Sequence, residues 1–67
     1  MQGIITKVVR KKREPETSYG FITADCGDQF YFRLRWIDWE IQEGERVEFL
    51  PRRNIKGRFA QNICKGV

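Results

Sequence analysis

Four aromatic residues have the spacing most suggestive of a binding surface. Tyr19 and Phe21 alternate in Ser18-Tyr19-Gly20-Phe21-Ile22-Thr23, and Phe30 and Phe32 alternate in Gln29-Phe30-Tyr31-Phe32-Arg33. Side chains point to opposite faces in turn along a strand, so each pair shares one face of its own strand. The segment between the two runs, Ala24-Asp25-Cys26-Gly27-Asp28, is rich in turn-forming residues. β-prone runs flanking such a segment predict a hairpin. If the register aligns the two faces, four rings form one patch. Unpaired nucleic-acid bases would fit such a patch, because each has a flat π-face and each stack contributes about 1–3 kcal/mol. Duplex DNA would not, because its bases are already stacked.

Burial is the competing reading, since aromatic residues in strands commonly form core. Two features oppose it. The other face of the hairpin, with Gly20, Ile22 and Tyr31, can itself pack inward. A small barrel must also house Ile5, Val8, Val47, Phe49 and Ile63, and overfilling a close-packed interior costs roughly 1–3 kcal/mol per poorly fitted group. A surplus of aromatic rings in so small a body therefore suggests that some of Tyr19, Phe21, Phe30 and Phe32 lie outside. Exposed rings are a liability unless something covers them.

The charge distribution agrees with a polyanionic ligand. Formal net charge is +4 over 67 residues. Residues 7–13 hold five cations and no acid; residues 49–65 hold five cations and no acid; residues 38–48 hold five acids against Arg46 alone. Lys7, Lys12 and Arg13 precede the aromatic hairpin, and Lys56 follows it. A small basic domain of this kind associates with polyanions.

Composition narrows the alternatives. Histidine is absent, which excludes histidine acid–base chemistry and histidine metal ligation. Cys26 and Cys64 form no CxxC pair, and only carboxylates are left to complete a zinc site. Two separated cysteines read as free thiols of a reducing, cytoplasmic protein. The N-terminus shows no apolar signal region, and no apolar run approaches the ~20 residues of a membrane span. A chain this short forms one domain over residues 1–67 and buries only about 60% of its unfolded surface. No deep cavity for a small-molecule substrate is expected. Nor is an enzyme, since no nucleophile–base pair, metal cluster or phosphate-cradling glycine loop is visible. No metal, cofactor or membrane partner is expected, and the chain is read as a monomer.

Several elements must position the aromatic hairpin. Gly3 to Val9 is rich in β-branched residues and predicts a first strand. Arg10 to Ser18 reads as a mobile basic loop, because adjacent cations repel and Pro15 ends regular structure. Leu34 to Ile41 predicts a turn or a single helical turn crossing one end of the domain, with Trp36 or Ile37 plugging the core and one tryptophan exposed. Arg46-Val47-Glu48-Phe49-Leu50 alternates strictly, with Val47 and Phe49 inward. Pro51 to Gly57 reads as a basic loop, and Arg58 to Val67 as the last strand with Ala60 and Ile63 inward. Five short strands without a helix predict an all-β fold, a five-stranded antiparallel barrel of the OB type.

The chain also resembles the bacterial cold-shock domain. Ser-Tyr-Gly-Phe-Ile-Thr at 18–23 is similar to that family's second-strand Gly-Phe-Gly-Phe-Ile, and Phe30-Tyr31-Phe32 to its third-strand Phe-Val-His. Glu43-Gly44 with Val47 and Phe49 looks like its fourth strand. Lys56-Gly57-Arg58-Phe59-Ala60-Gln61-Asn62-Ile63 resembles its ending, Lys-Gly-Pro-Gln-Ala-x-Asn-Val. The likeness spans nearly the whole chain, with a longer loop after the first strand and a shorter segment after the third. It implies an OB-type barrel that binds single-stranded RNA or DNA, with Tyr19, Phe21, Phe30 and Phe32 as outward platforms and Lys56 beside the bound strand. The chain departs from the pattern where Lys7 replaces a tryptophan, Val8 a phenylalanine, Phe32 a histidine and Arg33 an aromatic residue. Arg33 could still lie flat on a base. Trp39 could replace a loop aromatic, and Phe59 stands where glutamine is usual, as an added platform.

Two functions remain open on the sequence: a nucleic-acid chaperone or regulator that holds single strands open, and a protein-interaction module. In the second, the patch grips a peptide and the acidic 38–48 segment meets a basic partner.

Overall fold

Alternation of apolar and polar residues builds five strands, and the computed structural model, which describes residues 1–66, closes them into a ring. The strands are β1 (Gln2–Val9), β2 (Tyr19–Ala24), β3 (Gln29–Arg33), β4 (Arg46–Asn54) and β5 (Gly57–Lys65). Their order around the barrel is β1-β2-β3-β5-β4, with β4 returning to β1. This is the expected all-β, five-stranded barrel, with one correction: β3 and β5 run parallel, at Tyr31 opposite Phe59, while the other neighbours are antiparallel. Among the described residues, no helix is long and apolar enough to cross a membrane.

The core consists of Ile5, Ile22, Ala24, Phe30, Phe32, Ile41, Val47, Phe49 and Ala60, with Val8, Leu34, Ile37, Trp39 and Ile63 packed against it. Phe30 and Phe32 are thus inside, with only 4% and 0% of their surface exposed, which overturns the expectation that they face solvent. Two physical reasons account for this. The first is register. The β2–β3 connection is a three-residue loop, Asp25-Cys26-Gly27, between paired Ala24 and Asp28: the Gly27 amide donates to the Ala24 carbonyl oxygen at 2.8 Å, and the Ala24 amide donates to that of Asp28 at 2.8 Å. Gly27 takes φ 97°, the left-handed conformation that ends such loops. Three loop residues set Phe21 opposite Tyr31, Gly20 opposite Phe32 and Ile22 opposite Phe30. A slip of one residue would have exchanged the faces.

The second reason is volume. The inward positions that could crowd the two phenylalanines are small: Gly3, Gly20, Ala24 and Ala60 are all buried. A methyl group on Gly20 would lie 2.5 Å from the Lys7 carbonyl oxygen and 2.7 Å from Cζ of Phe32. The glycine therefore leaves the space that the Phe32 ring fills.

Two irregularities adjust which side chains point out. On β1, Ile5 lies opposite Ile22 and Lys7 opposite Phe21, so Thr6 is an extra residue that bulges the strand. The bulge lets Ile5 and Val8 both face inward and turns Lys7 outward. On β5, the pairing passes from Cys64–Glu48 to Gln61–Leu50, with Asn62 at φ 54°. That extra residue lets Ala60 and Ile63 both face the core.

The connections differ from expectation in two places. The β1–β2 loop contains a 3-10 turn, Pro15–Thr17, and is anchored where the Lys11 amide donates to Oγ of buried Ser18 at 2.8 Å. Pro51 to Gly57 is not a loop but part of a paired ribbon, because β4 continues to Asn54. Pro51 is tolerated there because β1 pairs with β4 only from Arg46 to Glu48, so the missing amide removes no partner from a neighbouring strand. The single turn expected after β3 is the 3-10 turn Leu34–Trp36. Ile37 packs against the core, and Trp36 does not plug it. Val67, expected to end the last strand, lies outside the described residues. Cys26 and Cys64 are free and exposed.

Candidate functional site

With Phe30 and Phe32 inside, the outward residues of the hairpin are Tyr19, Phe21, Tyr31 and Arg33. Tyr19 lies opposite Arg33 and Phe21 opposite Tyr31. The parallel bridge extends the second pair, since Tyr31 faces Phe59 on β5 and Phe59 faces Arg52 on β4. On the other side Phe21 faces Lys7 on β1. One row of directly opposed residues therefore crosses all five strands: Lys7, Phe21, Tyr31, Phe59, Arg52. Three rings occupy the middle and a cation stands at each end.

Two further rings extend this row into a continuous surface. Tyr19 packs edge-on to Phe21 at 5.9 Å between ring centroids and lies 5.8 Å from Tyr31. Phe21 and Tyr31 are 6.0 Å apart. Trp36 sits between Tyr31, at 6.3 Å, and Phe59, at 6.1 Å, near-perpendicular to the first. Edge-to-face contacts of this kind hold rings in place while leaving faces open. Trp36 is 43% exposed. Its place follows from the short 3-10 turn directly after β3, which folds residue 36 back over the outer face of the sheet.

A shallow groove of about 690 Å³ lies over these rings. Phe21, Tyr31, Trp36 and Phe59 provide its apolar surface, Arg33, Lys56 and Arg58 its charge, and Gln29 and Asn54 neutral hydrogen-bonding groups. No acidic side chain lines it. A surface of this composition offers π-faces to planar groups and guanidinium and ammonium groups to phosphates.

The residues expected from the sequence divide on this geometry. Tyr19, Phe21, Arg33, Lys56 and Phe59 come together on the outer face, and Lys7 joins them through the Thr6 bulge. Phe30 and Phe32 are core residues and do not contribute. Trp39 packs against the core under Lys65, whose Nζ is 5.3 Å from its ring centroid, and does not belong to the chain of rings. Lys12 and Arg13 are exposed on the β1–β2 loop and do not line the groove. Tyr31, Trp36, Arg52 and Arg58 were missed. For Tyr31 the available signal was the glycine in Asp25-Cys26-Gly27, which marks a three-residue loop and so pairs odd-numbered positions with odd-numbered ones. No comparable signal pointed to Trp36.

No family model matches the chain, and no curated protein matches its sequence.

Proposed function

We propose that this domain binds single-stranded RNA or DNA on the outer face of β2, β3 and β5, stacking bases on Phe21, Tyr31, Phe59 and Trp36 and meeting phosphates with Lys7, Arg33, Lys56 and Arg58. The observation that carries the reading is the cross-strand row Lys7–Phe21–Tyr31–Phe59–Arg52, aromatic in the middle and cationic at both ends. Strands in a sheet lie about 4.8 Å apart. The row thus sets three rings at intervals that a splayed single strand can follow, one base per strand crossed. Arg33, opposite Tyr19, adds a planar cation that can itself stack.

The strand order and the outward Tyr19 and Phe21 also support a divergent cold-shock-like domain that acts as a nucleic-acid chaperone or regulator. Lys7 and Arg33 then stand where aromatic platforms are usual, and Tyr31, Trp36 and Phe59 take over the stacking.

Three or four stacks, offset by the ordering of a flexible strand, correspond to dissociation constants on the order of micromolar. Fluorescence titration with oligo-dT and oligo-U tests this, because Trp36 lies within the surface and its emission should be quenched. Binding should weaken steadily with salt. If neither oligonucleotide quenches tryptophan or binds at low salt, the proposal is wrong.

A further inference from the structure

The β4–β5 hairpin extends beyond the barrel. Past the Arg52–Phe59 pair its two strands pair only with each other, Arg53 with Arg58 and Asn54 with Gly57. Every residue from 50 to 58 is exposed. The tip is a short connection, Ile55-Lys56, and Ile55 is fully exposed, at 103%. The Asn54 side-chain oxygen holds the tip in shape, accepting from the Lys56 amide at 2.8 Å and the Gly57 amide at 3.1 Å.

This ribbon is costly to the folded protein in two ways. Arg53 and Arg58 lie directly opposite each other, and like charges so placed destabilise a strand pair. No acid occurs between residues 49 and 65 to neutralise them. A large apolar side chain at a fully solvated tip contributes nothing to packing. Both features suit a ligand that is polyanionic at its rim and apolar within. Paired nucleic acid has that character: a two-stranded ribbon fits a groove, and aliphatic side chains wedge between base steps. The tip also borders the aromatic groove, since Asn54, Lys56, Gly57 and Arg58 line it. A strand leaving the rings therefore reaches the tip next.

We propose that the β4–β5 hairpin is a wedge for the junction between paired and unpaired nucleic acid. Ile55 inserts against the terminal base pair, Arg53 and Arg58 hold the flanking phosphates, and the released strand passes onto Phe59, Trp36 and Tyr31. The proposal rests on the single-strand reading above and adds to it a preference for forks and an opening activity.

The test compares a bare oligo-dT tract with the same tract joined to a short duplex stem, together with a hairpin carrying a fluorophore and quencher that reports opening. The wild-type protein should bind the stem-bearing tract about tenfold more tightly, equivalent to roughly 1.4 kcal/mol, and should open the hairpin. Ile55→Ser should keep bare-tract affinity within about twofold of wild type, since the side chain touches neither core nor groove, and should lose both the preference and the opening. Phe21→Ala should weaken bare and stem-bearing tracts alike. Equal wild-type affinity for the two ligands, or an unchanged preference in Ile55→Ser, overturns the wedge while leaving the single-strand reading standing; the hairpin would then face some other acidic surface. Binding to neither ligand overturns the single-strand reading itself.

Discussion

Phe32 and Tyr31 are neighbours in the chain, both large rings on β3, and they occupy opposite environments. Phe32 is fully buried over Gly20, and Tyr31 lies half-exposed among Tyr19, Phe21 and Trp36. The inner face of the β2–β3 hairpin combines large with small, Phe30 and Phe32 set against Ile22 and Gly20. The outer face sets ring against ring and ring against cation. Residue type does not separate the two faces; parity does. A ring on the inner face is held by close packing, where any change of volume is felt. A ring on the outer face is held by a few edge contacts, and its remaining surface is free to meet a ligand.

The comparison breaks first at Phe32. Phe32→Ala should cost about 3–5 kcal/mol. That is comparable to the whole stability of a domain this small, so circular dichroism should find the variant largely unfolded without denaturant. A well-folded Phe32→Ala that has lost oligonucleotide binding would show that the two faces have been assigned the wrong way round.

Gly20→Ala probes the same face from the other strand. The added methyl group meets backbone as well as the Phe32 ring, and overpacking of this kind costs roughly 1–3 kcal/mol. Urea denaturation should show a lower midpoint with an unchanged slope.

The outer face should respond in the opposite sense. Phe21→Ala and Tyr31→Ala should each lose about 1–3 kcal/mol of oligonucleotide affinity, by titration. Loss of their cross-strand contacts should reduce stability by no more than about 1 kcal/mol. Large unfolding in either variant would erase the distinction between faces. The smallest effect belongs to Lys56→Gln, which should leave fold and tryptophan quenching in place and flatten the log–log salt dependence of binding by about 0.7. An unchanged slope would place Lys56 outside the phosphate path.

Much of the barrel was legible in residue order. Val47 and Phe49 alternate with Arg46, Glu48 and Leu50, and they are inward as that period requires. Ile5 and Val8 were both assigned to the core although they are three residues apart, a spacing that a strand satisfies only with an extra residue between them. The Thr6 bulge is that residue, and its consequence, an outward Lys7 opposite Phe21, could have been drawn in advance. The outward Tyr19 and Phe21 were likewise anticipated. Phe30 and Phe32 were misplaced for two reasons: the loop was not counted as three residues, and the room left by Gly3 and Gly20 was not weighed against the bulk of the rings.

Sequence alone determined that there are five strands, the alternation along most of them and the two basic segments, because these depend on steric preference and charge within a few residues of the chain; the extension of β4 through Pro51 to Asn54 was not among them. It also determined that the two rings on β2, Tyr19 and Phe21, would share a face. The tertiary structure decided the rest. Closure of β5 beside β3 brought Phe59 against Tyr31 from 28 residues away, and the 3-10 turn after β3 carried Trp36 over the same surface. These placements follow from how the sheet curls shut around a core of limited volume, and local preferences do not encode that geometry.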